Sequence, residues 1–229
     1  MTQHPLKLLS SMAAREVLAE LIRGFTAQTG LAVAAAAAGG VEVAKRMQAG
    51  DYADVVVLSD SAIDKLIAGG WLRAGRVDLV RSGVAIAVRS GAHRPDISTE
   101  AAVQAAVSAA SSISYSTGPS GVYLEKLFRR WGIYAAIEPR IVVPPPGIPV
   151  GSLVAGGEAA LGFQQLSELL NVAGVDVLGP LPETIQTITT FSGAIGARCE
   201  QPQLAAQLLD FMRLPAAAAV KRRYGLEPA

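Results

Sequence analysis

Short apolar runs in this chain end repeatedly in serine, threonine or glycine residues that lead into an amphipathic segment. These junctions lie at Ser10-Ser11, at Gly39-Gly40, at Ser59-Asp60 and in the segment from Thr117 to Gly121. In a parallel α/β sheet such junctions lie at the carboxyl ends of strands, where ligands bind. The helices that follow present free N–H groups and the positive end of the helix dipole. These residue types therefore predict a site for a small anion.

Two adjacent amides extend the set of candidate residues. Gln164 and Gln165 follow a run typical of a buried strand, and we expect one of them to point toward the ligand. Serine at a helix start has a simpler interpretation as an N-cap, which contributes about 1 kcal/mol, and Gly39 and Gly40 could be turn residues. The candidate ligand-binding residues are Ser10, Ser11, Gly39, Gly40, Ser59, Thr117, Ser120, Gly121, Val150, Gln164 and Gln165.

Groups that could catalyse a reaction are few. Both histidines, His4 and His93, lie in segments that we expect to be exposed. The other titratable candidates are Tyr115, Tyr123, Lys126 and Glu168, and none stands out as a general base. The sequence contains no H-E-x-x-H motif, no Cys/His cluster and no G-x-G-x-x-G or P-loop motif. We therefore expect neither a metal nor a cofactor, and no catalytic residue is assigned.

Composition narrows the class of protein. The 229 residues are 51% hydrophobic and 17% charged, which is typical of a folded globular protein. A net charge of +1 without a dense Lys/Arg block argues against nucleic acid as a partner. The longest apolar run, Leu31 to Ala38, is far shorter than the roughly 20 residues that span a bilayer, so we expect no membrane insertion. The sequence is compatible with two cellular locations. The protein is periplasmic if a leader has been removed, and cytoplasmic if Met1 is the true start.

The elements that must position these residues follow from hydrophobic periodicity. A helix is predicted from Ser11 to Thr29, ended by Gly30, and a second from Val41 to Ala49. The run from Ala53 to Leu58 lacks alternation and indicates a buried parallel strand. With the helix that follows it, this part of the chain forms a β-α-β-α-β-α series, which predicts helices on both faces of a sheet.

A second α/β block follows, which includes a strand predicted at Ile141 to Val143. Two long extended segments, Val77 to Arg89 and Thr184 to Ala197, lie where the chain would pass between two lobes. We therefore expect lobe 1 to comprise residues 1–82 and 190–229, lobe 2 to comprise residues 83–189, and a ligand cleft to lie between them. The alternative is one continuous doubly wound sheet.

The order and spacing of several segments resemble the molybdate-binding proteins of the class II periplasmic solute-binding superfamily. The segments are Ser10-Ser11-Met12, Gln48 to Val57, Gly157 to Gly162, Leu209-Asp210-Phe211 and Tyr224-Gly225-Leu226. The resemblance implies a two-lobed type II periplasmic-binding-protein fold, in which each lobe is a mostly parallel sheet flanked by helices and two strands cross between the lobes. It also implies a partner of the ABC transporter class, a membrane permease.

Departures from the molybdate pattern bear on the ligand. Ser11 (or Ser10) matches the family's early serine, but Gly39 stands where a second serine is expected, and Gln164-Gln165 stand where a tyrosine is expected. Amides and backbone N–H groups suit planar carboxylates at least as well as tetrahedral molybdate. The segments from Thr117 to Tyr123 and from Gly162 to Glu168 resemble the branch that includes aconitate isomerase. We therefore expect binding of a di- or tricarboxylate, with aconitate-type isomerisation as the alternative and an inorganic oxyanion as the third interpretation.

Overall fold

The computed structural model describes residues 4–145 and 147–229, and these form two compact units. Unit 1 comprises residues 4–81 and 190–229, and unit 2 comprises residues 82–189. The chain leaves unit 1 within one long strand and returns to it within another, Val77–Arg89 and Ile188–Ile195.

The helices and strands alternate through most of the chain. In order they are β1 (Leu6–Ser11), α1 (Arg15–Thr29), β2 (Val33–Ala38), α2 (Gly40–Gln48), β3 (Val55–Ser59), α3 (Asp60–Ala68), β4 (Val77–Arg89), α4 (Glu100–Ala109), β5 (Ile113–Tyr115), α5 (Pro119–Arg130), α6 (Tyr134–Ile137), α7 (Val150–Gly156), β6 (Leu161–Gln165), α8 (Leu166–Leu169), β7 (Val175–Pro180), β8 (Ile188–Ile195), α9 (Pro202–Arg213), α10 (Ala218–Arg223) and β9 (Glu227–Pro228).

The sheet of unit 1 is built on three parallel strands in the order β2-β1-β3. The end of β8 adds an antiparallel strand beside β3, with Val55 opposite Ile195. Every residue of β3 is buried, because the strand lies between β1 and β8 and is covered on both faces. This explains its unbroken apolar sequence.

The apolar residues of helix α1 repeat at helical spacing, and this repeat forms the buried face of the helix. Its buried residues recur at helical spacing and pack into the main core of unit 1: Val17, Leu18, Leu21, Ile22 and Phe25. Burial of each such side chain stabilises the fold by roughly 1.5–3 kcal/mol. Gly30 ends the helix in the left-handed conformation, with φ of 73°, as its position in the sequence predicts.

Unit 2 has its own core around a mixed sheet. Strands β5 and β6 are parallel, and β4 is antiparallel to both β6 and β7. Phe128 of α5 packs edge-on against Phe163 of β6, with ring centroids 5.9 Å apart, inside this core. The parallel pair again places the ends of two strands, and the segments that follow them, at the same edge of a sheet.

The structure differs from the sequence-based expectations at several places, among them the extended segment predicted from Thr184, which begins in a 3₁₀ turn, Glu183–Ile185. The first long helix begins at Arg15 rather than Ser11, because Ser11 is extended and Met12–Ala14 form a 3₁₀ turn. The strand predicted at Ile141 to Val143 is a single bridge from Ile141 to Ile113, since the prolines that follow supply no N–H groups for a ladder. Strand β7 was not predicted; it pairs with β4.

Candidate functional site

In unit 1 the structure gathers five of the candidate residues at one edge of the sheet. Ser10 and Ser11 end β1, Gly39 and Gly40 connect β2 to α2, and Ser59 ends β3. The three strands are parallel neighbours, and Ser11 lies opposite Ala38 in the register. Helices α2 and α3 begin at this same edge, each nine residues long. Their free N–H groups and dipoles favour negative charge there.

The Ser11 hydroxyl is the polar group that the fold leaves unsatisfied at this edge. Ser11 is only 5% exposed, and its Oγ is buried without a hydrogen-bond partner among the described residues. It makes no capping hydrogen bond to the turn that follows, and neither does Ser59 at the start of α3. Thr99 shows what a cap looks like in this chain, since its Oγ1 accepts from the Ala102 N–H at 3.1 Å. N-capping therefore does not account for Ser11.

The backbone conformation at Gly39 and Gly40 does not require glycine, since neither has a positive φ. Gly39 has φ of −54° and ψ of 137°, which any residue can adopt, and a Cβ added there would meet nothing within 4 Å. A Cβ on Gly40 would lie 3.8 Å from the Ser11 Cβ, which places this glycine beside the unsatisfied hydroxyl. The space in front of Gly39 is open at the N-terminus of α2.

In unit 2 two hydroxyl groups of the junction between β5 and α5 are hydrogen-bonded to each other. Gly118 rather than serine holds the N-cap position of α5, and the hydroxyls of Ser116 and Ser120 are hydrogen-bonded at 3.0 Å. A Cβ on Gly121 would lie 1.5 Å from the Ser116 carbonyl oxygen, so the close packing of two backbones explains this glycine. Ser120 and Gly121 thus have structural roles, and Thr117 is exposed.

A cavity of about 410 Å³ lies beside this junction, within unit 2. Thr117 and Gly121 line it together with Tyr115, but so do Glu125 and Glu138. Two carboxylates disfavour an anion in the same cavity. A smaller cavity of about 140 Å³ in unit 1 lies near the start of β3, at the opposite end of that strand from Ser59. Ser11 lines neither of these cavities.

The adjacent glutamines at the end of β6 are both buried but differ in their partners. The Gln164 Oε1 accepts from the Gly151 N–H at 3.2 Å, and its Nε2 donates to the Glu168 Oε1 at 2.9 Å. The Gln165 Nε2 donates to the Thr189 Oγ1 at 3.0 Å, whereas its Oε1 is buried without a partner among the described residues. Val150 is fully buried and packs in a small apolar cluster with α7 neighbours.

The candidate catalytic groups have mostly structural surroundings. The Tyr123 hydroxyl donates to the Ile185 carbonyl oxygen at 2.9 Å, and Lys126 is exposed, as are His4 and His93. Burial raises the pKa of Tyr115, which favours its neutral form. Glu168 is half-buried and accepts from Gln164.

Two absences concern the described parts of the chain, residues 4–145 and 147–229. These parts contain no group of three or more His, Cys, Asp or Glu side chains arranged to hold a metal ion. None of the helices in these parts is long and apolar enough to cross a membrane.

The chain is similar in sequence to known proteins. The family model for bacterial extracellular solute-binding proteins matches residues 6–227. Aconitate isomerase from a Pseudomonas species is 38% identical over 232 residues, an alignment that covers 97% of this chain and 87% of that protein.

Solved structures show the fold. The periplasmic molybdate-binding protein of Azotobacter vinelandii superposes with a TM-score of 0.79 at 21% identity, covering 96% of this chain and 98% of that one. A periplasmic binding protein of Agrobacterium tumefaciens in complex with agropinic acid superposes with a TM-score of 0.74 at 11% identity, covering 99% and 84%. The architecture is thus the type II periplasmic-binding-protein fold.

Proposed function

Because this chain belongs to the family of bacterial extracellular solute-binding proteins, we propose that it binds a small organic anion, a di- or tricarboxylate, at the serine edge of unit 1. The observation that carries the proposal is the buried, unsatisfied Ser11 hydroxyl at an edge where α2 and α3 begin. A buried donor without a partner costs about 1–3 kcal/mol. A ligand carboxylate that accepts from Ser11 and from the helix N–H groups would recover this free energy.

Carboxylate is favoured over molybdate by what surrounds the serine. Gly39 offers open space and no hydroxyl, so the second serine expected in a molybdate binder is missing. An extended di- or tricarboxylate needs such space, and its planar groups match backbone N–H and amide donors. Binding of the anion at this edge does not require a lysine or arginine, because neutral N–H donors and helix dipoles can hold an anion.

We further propose that Gln165 of unit 2 also contacts the anion. Support comes from the Gln165 Oε1, which is buried without a partner among the described residues. Solute-binding proteins usually work with transporter permeases, and we propose a membrane permease as the partner that receives the anion.

The test is an affinity measurement with a matched control. In calorimetric titrations, Ser11→Ala should weaken binding of citrate or cis-aconitate at least tenfold while the melting temperature changes by less than about 2 °C. Thr99→Ala removes a real cap and should lower stability by about 1 kcal/mol without changing affinity. An unchanged affinity in Ser11→Ala would contradict the proposal, and tight binding of molybdate alone would replace carboxylate as the ligand class.

Aconitate-type isomerisation is the second candidate, favoured by the relative at 38% identity. In this 1,3-proton shift a base removes a proton from the CH₂ carbon, the double bond moves, and a proton is returned to the other end of the allyl unit. No oxidant or cofactor is consumed. Proton NMR of cis-aconitate with the purified protein would reveal trans-aconitate if the reaction occurs. Because the Tyr123 hydroxyl is hydrogen-bonded to a backbone carbonyl and Lys126 is exposed, Glu168→Gln and Tyr115→Phe are the informative variants.

A further inference from the structure

The cavity of about 410 Å³ within unit 2 is unsuited to an anion, because two carboxylates line it, those of Glu125 and Glu138. Two phenol rings, of Tyr115 and Tyr134, line it as well. Its volume is within the range of small-molecule sites, about 300–1,000 Å³. We propose that this cavity binds a small organic cation, in which a guanidinium, amidinium or ammonium group is attached to an apolar body.

Two residues of the cavity wall bind a guanidinium group of this chain. The guanidinium carbon of Arg129 lies 3.8 Å from the centroid of the Tyr134 ring, which is a cation–π contact. The Nε and Nη2 groups of Arg129 both donate to the Glu125 Oε1, at 3.0 and 2.8 Å. Tyr134 and Glu125 thus hold a cation in the folded protein, and both also line the cavity. The cavity therefore has walls of a kind that recognises cations.

Arg129 does not use all of the negative charge at the cavity. Both of its donors bind one oxygen of Glu125, and no described residue donates to the other oxygen, Oε2. Glu138 forms no ion pair with any described lysine or arginine. One guanidinium group beside two carboxylates leaves one negative charge uncompensated. This charge favours a monocation, whose N–H groups can donate to the free carboxylate oxygens.

The remaining walls of the cavity suit the apolar body of such a ligand. Val122 and Val143 line the cavity and are 53% and 65% exposed. The Tyr115 ring packs edge-on against Phe128, with centroids 5.9 Å apart, so this wall is fixed by the core of unit 2. An apolar body that covers the two valines removes their surface from water, which stabilises the complex. A bare inorganic cation would lack this contribution, and the ligand is therefore an organic cation.

The experiment titrates the isotopically labelled whole protein with benzamidine and with benzamide, its neutral analogue of the same shape, and follows the amide signals of Gly121 and Tyr134 by NMR. Benzamidine should bind saturably and about tenfold more tightly than benzamide, because only the amidinium compensates the free negative charge. Glu138→Gln should weaken benzamidine binding about fivefold, and Val143→Ser about threefold. Glu183→Gln removes the same charge from an exposed residue of unit 2 that does not line the cavity, and should leave the affinity unchanged.

Three results would overturn the inference. Equal affinities for benzamidine and benzamide would show that the cavity selects only an apolar body. Equal losses in Glu138→Gln and Glu183→Gln would show that the overall charge of unit 2, rather than this cavity, attracts the cation. Benzamidine that leaves the signals of Gly121 and Tyr134 unchanged would show that it does not enter the cavity. None of these measurements involves the anion, so a protein that fails to bind citrate would contradict the proposed function and leave the cation site intact.

Discussion

At the scale of single residues, the candidates form two groups. Contacts within the folded chain explain the residue type in the first group and do not explain it in the second. Gly121 and Ser120 are explained by the packing of their own junction, through the Ser116 carbonyl and hydroxyl groups. Ser11 and Gln165 are not explained in this way, since each has a buried polar atom without a partner. Buried polar groups are nearly always hydrogen-bonded in native proteins. Among the described residues the Ser114 Oγ in β5 is a third buried atom without a partner, so what distinguishes Ser11 and Gln165 is that each also ends its strand.

The two kinds of glycine can be told apart by substitution. Gly121→Ala should destabilise the protein by at least about 2 kcal/mol, because its Cβ would overlap the Ser116 carbonyl oxygen. Gly39→Ser should change stability by less than about 0.5 kcal/mol, since the added side chain enters open space at a position that favours serine. It should nevertheless weaken citrate binding at least threefold by obstructing the ligand.

Urea unfolding and calorimetric titration measure the two effects. A strongly destabilised Gly39→Ser variant would show that the space in front of α2 is needed for packing. A fully stable Gly121→Ala variant would show that the β5–α5 junction can relax around a methyl group.

At the scale of elements, three parallel strands bring the candidate residues of unit 1 together at one edge of the sheet. At the opposite edge, the buried Asp54 carboxylate connects the starts of two of these strands. Asp54 is 2% exposed; its Oδ2 accepts from the Lys7 N–H at 2.8 Å, and its Oδ1 accepts from the Tyr52 hydroxyl at 2.5 Å. These contacts join the starts of β1 and β3. The hydrogen bond to Asp54, and then burial, raise the pKa of Tyr52 to about 12.

The raised pKa predicts how stability depends on pH. In the unfolded chain the tyrosine hydroxyl ionises near pH 10. The contribution of Tyr52 is therefore fully present below pH 10 and is lost as pH rises toward 12, because the unfolded state releases the proton first. Tyr52→Phe should flatten the loss of unfolding free energy between pH 9.5 and 11.5, measured by urea denaturation.

The Cys199 thiol also ionises in this pH range, so its effect on stability must be removed from both proteins that are compared. Burial, followed by a hydrogen bond to Asp54, raises the pKa of its thiol to about 11, so it adds a loss of the same sign between pH 9 and 11. Both proteins should therefore carry Cys199→Ala. Identical pH slopes with and without the Tyr52 hydroxyl would contradict the coupling to Asp54.

At the scale of the whole molecule, the chain forms two units with separate hydrophobic cores. The cores of unit 1 are built around α1 and β3, and the main core of unit 2 surrounds Phe128 and Phe163. Proteins with two such units need not unfold in one cooperative step. That both units contact one anion remains our proposal, and unfolding offers a direct test of it.

Ligand binding should stabilise both units together. At a citrate concentration of 100 times Kd the free energy of unfolding should rise by about 2.7 kcal/mol, which corresponds to roughly 5–10 °C in melting temperature. If calorimetry resolves two transitions, both should move. Citrate also stabilises proteins nonspecifically, so Ser11→Ala at the same citrate concentration is the control. Movement of a single transition would contradict the proposed contact of Gln165 with the anion.

The sequence by itself determined the fold class and the identity of the junctions. Helical and strand periodicity, the glycine after α1 and the unbroken apolar run of β3 follow from local sterics and burial, which neighbouring residues encode. The order of these elements supported the solute-binding fold, which the family match and the solved structures establish. Strand β7 was missed because its pairing with β4 depends on a residue separation of about ninety, which no local pattern records.

Only the tertiary structure decided which candidates have free hydrogen-bonding capacity. Ser11 and Ser120 are both serines near a helix start, and Gln164 and Gln165 are identical neighbours, so residue type cannot distinguish them. The distinction comes from partners distant in the chain, Gly151 for Gln164 and Thr189 for Gln165. Hydrogen-bond satisfaction is a property of three-dimensional neighbours, and so it emerges only when the chain has folded.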